Sequence, residues 1–430
     1  MNIKNALAAL CAAVLLAGMT PAVGARTFDA DFADSTIRLD YVLSGTPSQP
    51  SAGLWATHKL SGWAGRRHSL SRLPLAGNGR VTVTDPVSGD TLYVTSFSTL
   101  YNEWLAIGDT VARAFQATQL IPMPRAEADV ELTICDNRNR PLVTHRHRLN
   151  PKDILIRQVK TPAYDTVMLH SGKNFDGNRI QVAILPEGFT AAEMAKFHDY
   201  ARRTVKAILA HRPFGALADR FDFIAVDVPS ADSGVSVPLQ GQWRDTPFGS
   251  HFSTFYSDRY LTAPQVFAVH DALAGIPYEH IIILANTDTY GGGGIYNQYT
   301  LTTTGNPLFE PVVVHEFGHS FGGLADEYFY EDEDLMDGAY PADIEPWEPN
   351  ITTLVNFDAK WKHLLRDDTP VPTPVERASE FPVGVYEGGG YKAKGIYRPA
   401  DRCRMRVNDV DSFCPACIDA LSRLIHFFTD

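Results

Sequence analysis

Residues 312–330 read VVVHEFGHSFGGLADEYFY. On a helix, residues four apart lie on one face, so His315 and His319 can present their imidazoles to a single point. Glu316 lies about 100° around the helix from His315, where it reaches the same space without competing for it. The three valines at 312–314 supply a buried face just ahead of the first histidine. This spacing predicts an active-site helix, and the rest of the chain has to be organised around it.

Two histidines and a glutamate in the pattern HExxH are what a catalytic zinc needs. Zinc lowers the pKa of a bound water towards about 7, the glutamate takes the proton, and the zinc-activated water attacks a polarised carbonyl. Glu316 is the expected general base, with His315 and His319 as metal ligands. A third protein ligand must come from beyond the helix. In the metzincin pattern HExxHxxGxxH a glycine turns the chain and returns a third histidine. Here the match runs through Gly322, which is expected to take the positive φ of that turn. The next ligand position is Ala325, which cannot ligate. Asp326 is the preferred third ligand because it is short and one residue from that position; Glu327 is the alternative. The acid left over can orient a histidine.

Upstream of the helix, after Pro162, strands alternate with helices. NRIQVAILPEGF, RFDFIAVDV and YEHIIILANT read as buried strands, and TAAEMAKFHDYARRTVKAILAHRPF as a long amphipathic helix with Thr190 as N-cap and Glu193 completing a capping box. This is the grammar of an α/β unit with a mostly parallel sheet. TYGGGGIYNQYTLTTT reads as a glycine-rich turn feeding a polar edge strand that could pair with an extended substrate. Downstream of Tyr330 periodicity fades into acidic and proline-rich connections, an irregular subdomain closed by the short helix PACIDALSRLIHFF. The acidic run Glu331–Asp337 lacks EF-hand spacing and reads as a solvated loop.

Before Pro162 the pattern is different. From Ser35 to about Gln158, β-branched residues alternate with polar ones between turn signals, which predicts an antiparallel β-sandwich; only NEWLAIGDTVARAF has helical periodicity. THRHR at 144–148 alternates within a strand and reads as a solvated face. The overall fold class is therefore α+β or α/β, with a β-sandwich at 26–160 and a catalytic domain at 161–430.

Residues 1–25 carry a positive N-region, an apolar run from Ala6 to Met19 and small residues at Val23 and Ala25, as a cleaved signal peptide requires. The run is shorter than the roughly 20 residues of a membrane span. No transmembrane segment and an exported chain, whether secreted, periplasmic or on the cell surface, are the expectation. Loss of Lys4 takes the formal charge from -12 to about -13. So acidic a chain excludes phosphate-backbone recognition, hence no nucleic acid, and leaves proteins or glycoproteins as partners. Nothing in the sequence fixes an oligomeric state, and a monomer suffices.

Cys403, Cys414 and Cys417 cluster near the C-terminus as CRM and FCPAC. In an exported chain the expected arrangement is a disulfide from Cys403 to one of the other two, with a second metal site or a redox pair as alternatives; three sulfurs have no obvious fourth ligand. Cys135 is expected to be a buried thiol.

HEFGHSFGGLADEY, the YGGGG turn, PEGFT, CRMR and FCPAC together resemble the IgA-specific metallopeptidase family over residues 165–430, and the β-rich segment resembles that family's N-terminal domain. The resemblance implies a secreted, metzincin-like zinc endopeptidase with a carboxylate as third ligand, carried here to Asp326, and a substrate among immunoglobulins or other host glycoproteins. It further implies that Met405 forms the methionine turn beneath the zinc. Tyr328, Tyr391 and Tyr397 are candidates for oxyanion or substrate contacts. The rival readings are a glycan- or protein-binding β-sandwich carrying an inactive metal domain, and a peptidoglycan amidase. An intact Glu316 argues against the inactive form.

Overall fold

The computed structural model describes residues 26–107, 111–159, 164–331 and 340–430. The signal-peptide segment and all but the first residue of the acidic run lie outside them.

After a single helical turn, α1 (Phe28–Asp31), the N-terminal part forms strands β1 (Phe32–Thr46), β2 (Gln49–Ser61), β3 (Gly79–Thr84) and β4 (Thr91–Phe97). Helix α2 (Leu100–Ile107) and strands β5 (Arg113–Pro124), β6 (Ala128–Cys135), β7 (Pro141–Leu149) and β8 (Arg157–Gln158) follow. They make two four-stranded sheets, ordered β5-β1-β2-β8 and β4-β3-β6-β7. Inward residues of both, among them Ile37, Leu39, Val81, Val83, Ile121 and Leu132, share one core. Every pairing is antiparallel except β2 with β8. The helical reading of NEWLAIGDTVARAF holds only to Ile107, because Val111–Phe115 leads into and forms part of a strand. In β7 it is Arg146 and Arg148 that face solvent, paired with Glu131 and Asp129, while His147 Nε2 turns back to Tyr41 Oη at 2.9 Å.

The second part is built on strands β9 (Thr166–Ser171), β10 (Ile180–Glu187), β11 (Phe221–Val226), β12 (His280–Ala285), β13 (Gly292–Ile295) and β14 (Tyr299–Thr303). Their order is β13-β14-β12-β10-β11-β9. The four central strands are parallel and the two outer ones antiparallel. Helices α3 (Met194–Ala210), α5 (Phe309–Ser320) and α6 (Pro415–Thr429) cover one face, and α4 (Val266–Ala272) contributes to the other. Alternate residues of β10 feed the two cores: Val182 and Ile184 one, Ala183 and Leu185 the other. A third sheet, β15 (Phe329–Tyr330), β17 (Tyr391–Arg398) and β16 (Tyr386–Gly389), lies in the irregular C-terminal part. The whole is a mixed α/β protein with several sheets and few helices.

One expectation is overturned here. The polar segment Tyr299–Thr303 is not an edge strand: it lies between β12 and β13, fully buried. Two of its hydroxyls are satisfied internally, Thr300 with Ser320 and Thr303 Oγ1 with the Gly291 carbonyl, so its polarity signals packing and not solvent. The glycines themselves form the outermost strand, and Tyr260 bridges Gly292 on its outer side.

The two parts are pinned together. Arg38, buried in β1, makes paired 2.8 Å bonds to Asp40 and reaches across to Asp271 Oδ1 at 2.6 Å and the Phe267 carbonyl at 3.0 Å. Asn297 Nδ2 donates to the Ser96 carbonyl at 2.9 Å. Among the described residues, no helix is long and apolar enough to cross a membrane.

Candidate metal centre

Helix α5 packs against β13 and β14, and glycine makes that contact possible. A Cβ on Gly294 would sit 2.3 Å from the Glu316 carbonyl oxygen and 2.8 Å from His319 Cβ; one on Gly292 would sit 2.8 Å from Glu316 Oε1. The strand can lie this close to the face of the helix that carries Glu316 and His319 only because those positions carry no side chain.

The helix ends in the double glycine, with the two roles exchanged relative to the sequence expectation. Gly323 takes the left-handed conformation, φ +58°, and Gly322 does not. Gly322 is required for space, since a Cβ there would meet Leu421 Cδ2 at 2.5 Å and the Gly318 carbonyl at 2.7 Å. Bonds from Gly323 N to the His319 carbonyl (2.9 Å) and from Leu324 N to the Gly318 carbonyl (3.1 Å) close the helix.

The chain then returns Asp326 to the histidines. Its Oδ1 lies 3.0 Å from His315 Nε2 and 3.3 Å from His319 Nε2, and the two Nε2 atoms are 3.0 Å apart. Each histidine's other nitrogen faces a backbone carbonyl, His315 Nδ1 that of Arg404 at 2.9 Å and His319 Nδ1 that of Leu324 at 2.6 Å. A carbonyl only accepts, so both Nδ1 atoms carry a hydrogen, and in the neutral rings both Nε2 lone pairs point inward. Three acceptors thus converge, and Asp326 Oδ1, buried, makes no hydrogen bond. Such a cluster repels itself unless a cation lies among its members, and nitrogen, nitrogen and carboxylate oxygen are a donor set that suits zinc.

The electrostatics carry the same message. Burial disfavours the charged form of His319, but Asp326 and Glu316 outweigh it and hold His319 up to about 9. His315 is also raised, the adjacent Asp326 carboxylate outweighing burial. Asp326 is driven well below the usual carboxylate range, its burial overcome by both histidines. Burial pushes Glu316 up, with His315 and His319 pulling it back. The site demands positive charge.

Further residues fix this set. Tyr391 Oη donates to Asp326 Oδ2 at 2.5 Å, and Gly390 N to the Asp326 carbonyl at 2.8 Å. Tyr328 packs edge-on against Tyr391, ring centroids 5.4 Å apart. Burial, and then the charge of Asp326, raises the pKa of both phenols, which stay protonated as donors. Tyr397 is not part of the site: six residues along β17 is about 20 Å of strand, and its backbone is tied to Thr352 instead. Met405 is fully buried under α5, its Sδ 2.6 Å from where a Cβ on Gly318 would lie, and its carbonyl accepts from Glu327 N at 2.8 Å.

Glu327 faces away from the histidines. Its Oε1 accepts from Asn350 Nδ2 at 3.0 Å and from Cys417 Sγ at 3.1 Å. The expected disulfide is not formed: Cys403, Cys414, Cys417 and Cys135 are all free and buried, with Cys403 Sγ and Cys417 Sγ 3.8 Å apart.

Two contributors went unread in the sequence. Asn350, fully buried, clamps the ligand loop by accepting from Ala325 N (2.7 Å) and donating to the Ala325 carbonyl (2.9 Å). It sits in a proline-rich connection without periodicity, and no local signal marks it. Glu103 of α2 takes the hydroxyl of Tyr260, the residue that bridges Gly292. The N-terminal part therefore buttresses the strand that lies over Glu316.

A comparison with curated proteins finds no match. Residues 168–381 and 376–425 match the family described as IgA Peptidase M64, and residues 27–144 match the one described as Peptidase M64 N-terminus. With matches over most of its length, the chain belongs to the IgA peptidase M64 family, and so to the metallopeptidases.

Proposed function

We propose that this protein is an exported zinc-dependent endopeptidase with a metzincin-like catalytic domain. The observation that carries the reading is the convergence of His315 Nε2, His319 Nε2 and Asp326 Oδ1 within 3.3 Å of one another, with Glu316 beside them on the same helix. When bound there, zinc supplies the Lewis acidity that acidifies water and polarises a peptide carbonyl. The backbone carbonyls of Arg404 and Leu324 hold both imidazoles in the ligating tautomer. Tyr391 holds Asp326 by its second oxygen, leaving the first for the ion.

Glu316 is the general base. Its carboxylate, desolvated under Gly292, takes a proton from the attacking water and hands it to the leaving amide nitrogen. Tyr328 and Tyr391, protonated and adjacent, are suited to donate to a developing oxyanion. Met405 beneath Gly318 and the glycine turn after His319 support the metzincin likeness. A cavity of about 350 Å³, bordered by Trp243, Phe255, Tyr256 and Ile295, adjoins the end of β13 and would accept apolar or sugar-bearing parts of a protein substrate. The family's name supports immunoglobulin, or another host glycoprotein, as that substrate.

The test is metal content and cleavage of a peptide library by the purified protein and by Glu316→Gln. Metal kept with cleavage lost is the expected pair of results; an unchanged rate in the variant overturns the assignment.

A further inference from the structure

Behind the histidine site lies a second convergence of ligand atoms. Cys403 comes from the turn before Met405, Cys414 from the N-cap of α6, Cys417 from its first turn, and Glu327 from the loop that carries Asp326. One donor atom from each lies within 4.8 Å of all the others, and all four residues are buried. The sequence shows three sulfurs without a partner; the fold brings the fourth ligand from 76 residues before Cys403, 403 minus 327.

Two observations separate this from ordinary packing of thiols. Glu327 Oε2 is buried with no hydrogen-bond partner, a cost that a protein core does not normally tolerate in a carboxylate. The 3.8 Å between Cys403 Sγ and Cys417 Sγ is too long for a disulfide and equals the edge of a tetrahedron with arms of about 2.3 Å, the zinc–thiolate bond length.

We propose that Cys403, Cys414, Cys417 and Glu327 form a second metal site, closed and four-coordinate, for a thiophilic divalent cation of the zinc type. Four protein ligands leave no position for water or substrate, so its role is structural. It fastens three segments behind the catalytic helix: the Asp326–Glu327 loop, the Met405 turn and α6. On binding, each cysteine that ligates as thiolate gives up its proton to solvent and no electron is transferred. The proposal is independent of the peptidase assignment.

The test uses the full chain carrying His315→Ala and His319→Ala, so that the first centre contributes nothing. Elemental analysis should find two equivalents of zinc in the native chain and one in this variant. Replacement by cobalt in the variant should give intense thiolate-to-cobalt charge-transfer absorption, a readout that leaves every cysteine in place. Adding Glu327→Gln, close in size, should lose the remaining equivalent or change the cobalt spectrum. The proposal is overturned by a variant without metal, by an intact mass two hydrogens lighter that reports a disulfide, or by a cobalt spectrum lacking thiolate bands.

Discussion

Asn350→Ala tests whether the catalytic loop is held by a single buried amide. The substitution removes bonds of 2.7, 2.9 and 3.0 Å to Ala325 N, the Ala325 carbonyl and Glu327 Oε1. It leaves an amide and a carbonyl unpaired inside the protein. At about 1–3 kcal/mol for each of these two orphaned groups, the loss comes to roughly 2–6 kcal/mol, a large part of a domain's stability. Because Ala325 precedes Asp326, loosening it should also weaken the hold on metal, by about 10–100-fold for a supporting residue of this kind. Urea unfolding of the metal-loaded protein and chelator competition measure the two effects separately. Asn350→Asp keeps the acceptor for Ala325 N but loses both donors and sets a carboxylate against Glu327, so it should be no milder than alanine. A loss under about 1 kcal/mol with unchanged metal affinity would show that the bonds from Gly390 and Met405 suffice, and the reasoning would be wrong.

Four further outcomes are expected. Glu316→Gln should retain metal and lose cleavage by about 10²–10⁴-fold, read as kcat on a peptide substrate. Gly294→Ala, whose Cβ meets backbone at 2.3 Å, should cost about 1–3 kcal/mol or more in thermal unfolding and lower kcat/KM, whereas Gly293→Ala, with 3.3 Å to its nearest neighbour, should be mild; equal effects would remove close packing as the cause. Zinc must displace the proton that His319 holds up to about 9, so apparent affinity should climb about tenfold per pH unit below that value, and a flat profile refutes it. Asp40, despite burial, is held down to about 2 by His58 and Arg38, from an ordinary 3.8. Its contribution of about 2 kcal/mol is therefore complete above 3.8 and lost as pH falls through 2; Asp40→Asn should flatten that acid limb of the stability curve.

The histidine pair and Glu316 were legible because helical periodicity is local and five residues fix it. Asp326 was legible by order alone, as the first acid after the turn, but its choice over Glu327 depends on a carbonyl from Met405 and an amide from Asn350, both remote in sequence. Which glycine takes the turn could not be read, since either tolerates positive φ; the structure puts it at Gly323, while Leu421 crowds Gly322. Thr300 and Thr303 of β14 look solvated because their hydroxyl partners, Ser320 and the Gly291 carbonyl, lie on other elements. Cysteine spacing suggested a disulfide for the same reason: the Glu327 carboxyl that Cys417 faces lies on a different segment. Six residues of separation in a strand likewise removed Tyr397 from a site that Tyr391 reaches.

The carbonyl that fixes His315 belongs to Arg404, and the thiols that face Glu327 belong to residues 403–417, near the end of the chain. Synthesis runs from the other end. A growing polypeptide that has already made HEFGH still lacks the groups that aim its first histidine and brace its third ligand. On the proposed reading, hydrolytic competence waits until residues 403–417 have also been made and packed behind HEFGH. The order of synthesis would then keep the proposed peptidase silent until that segment follows.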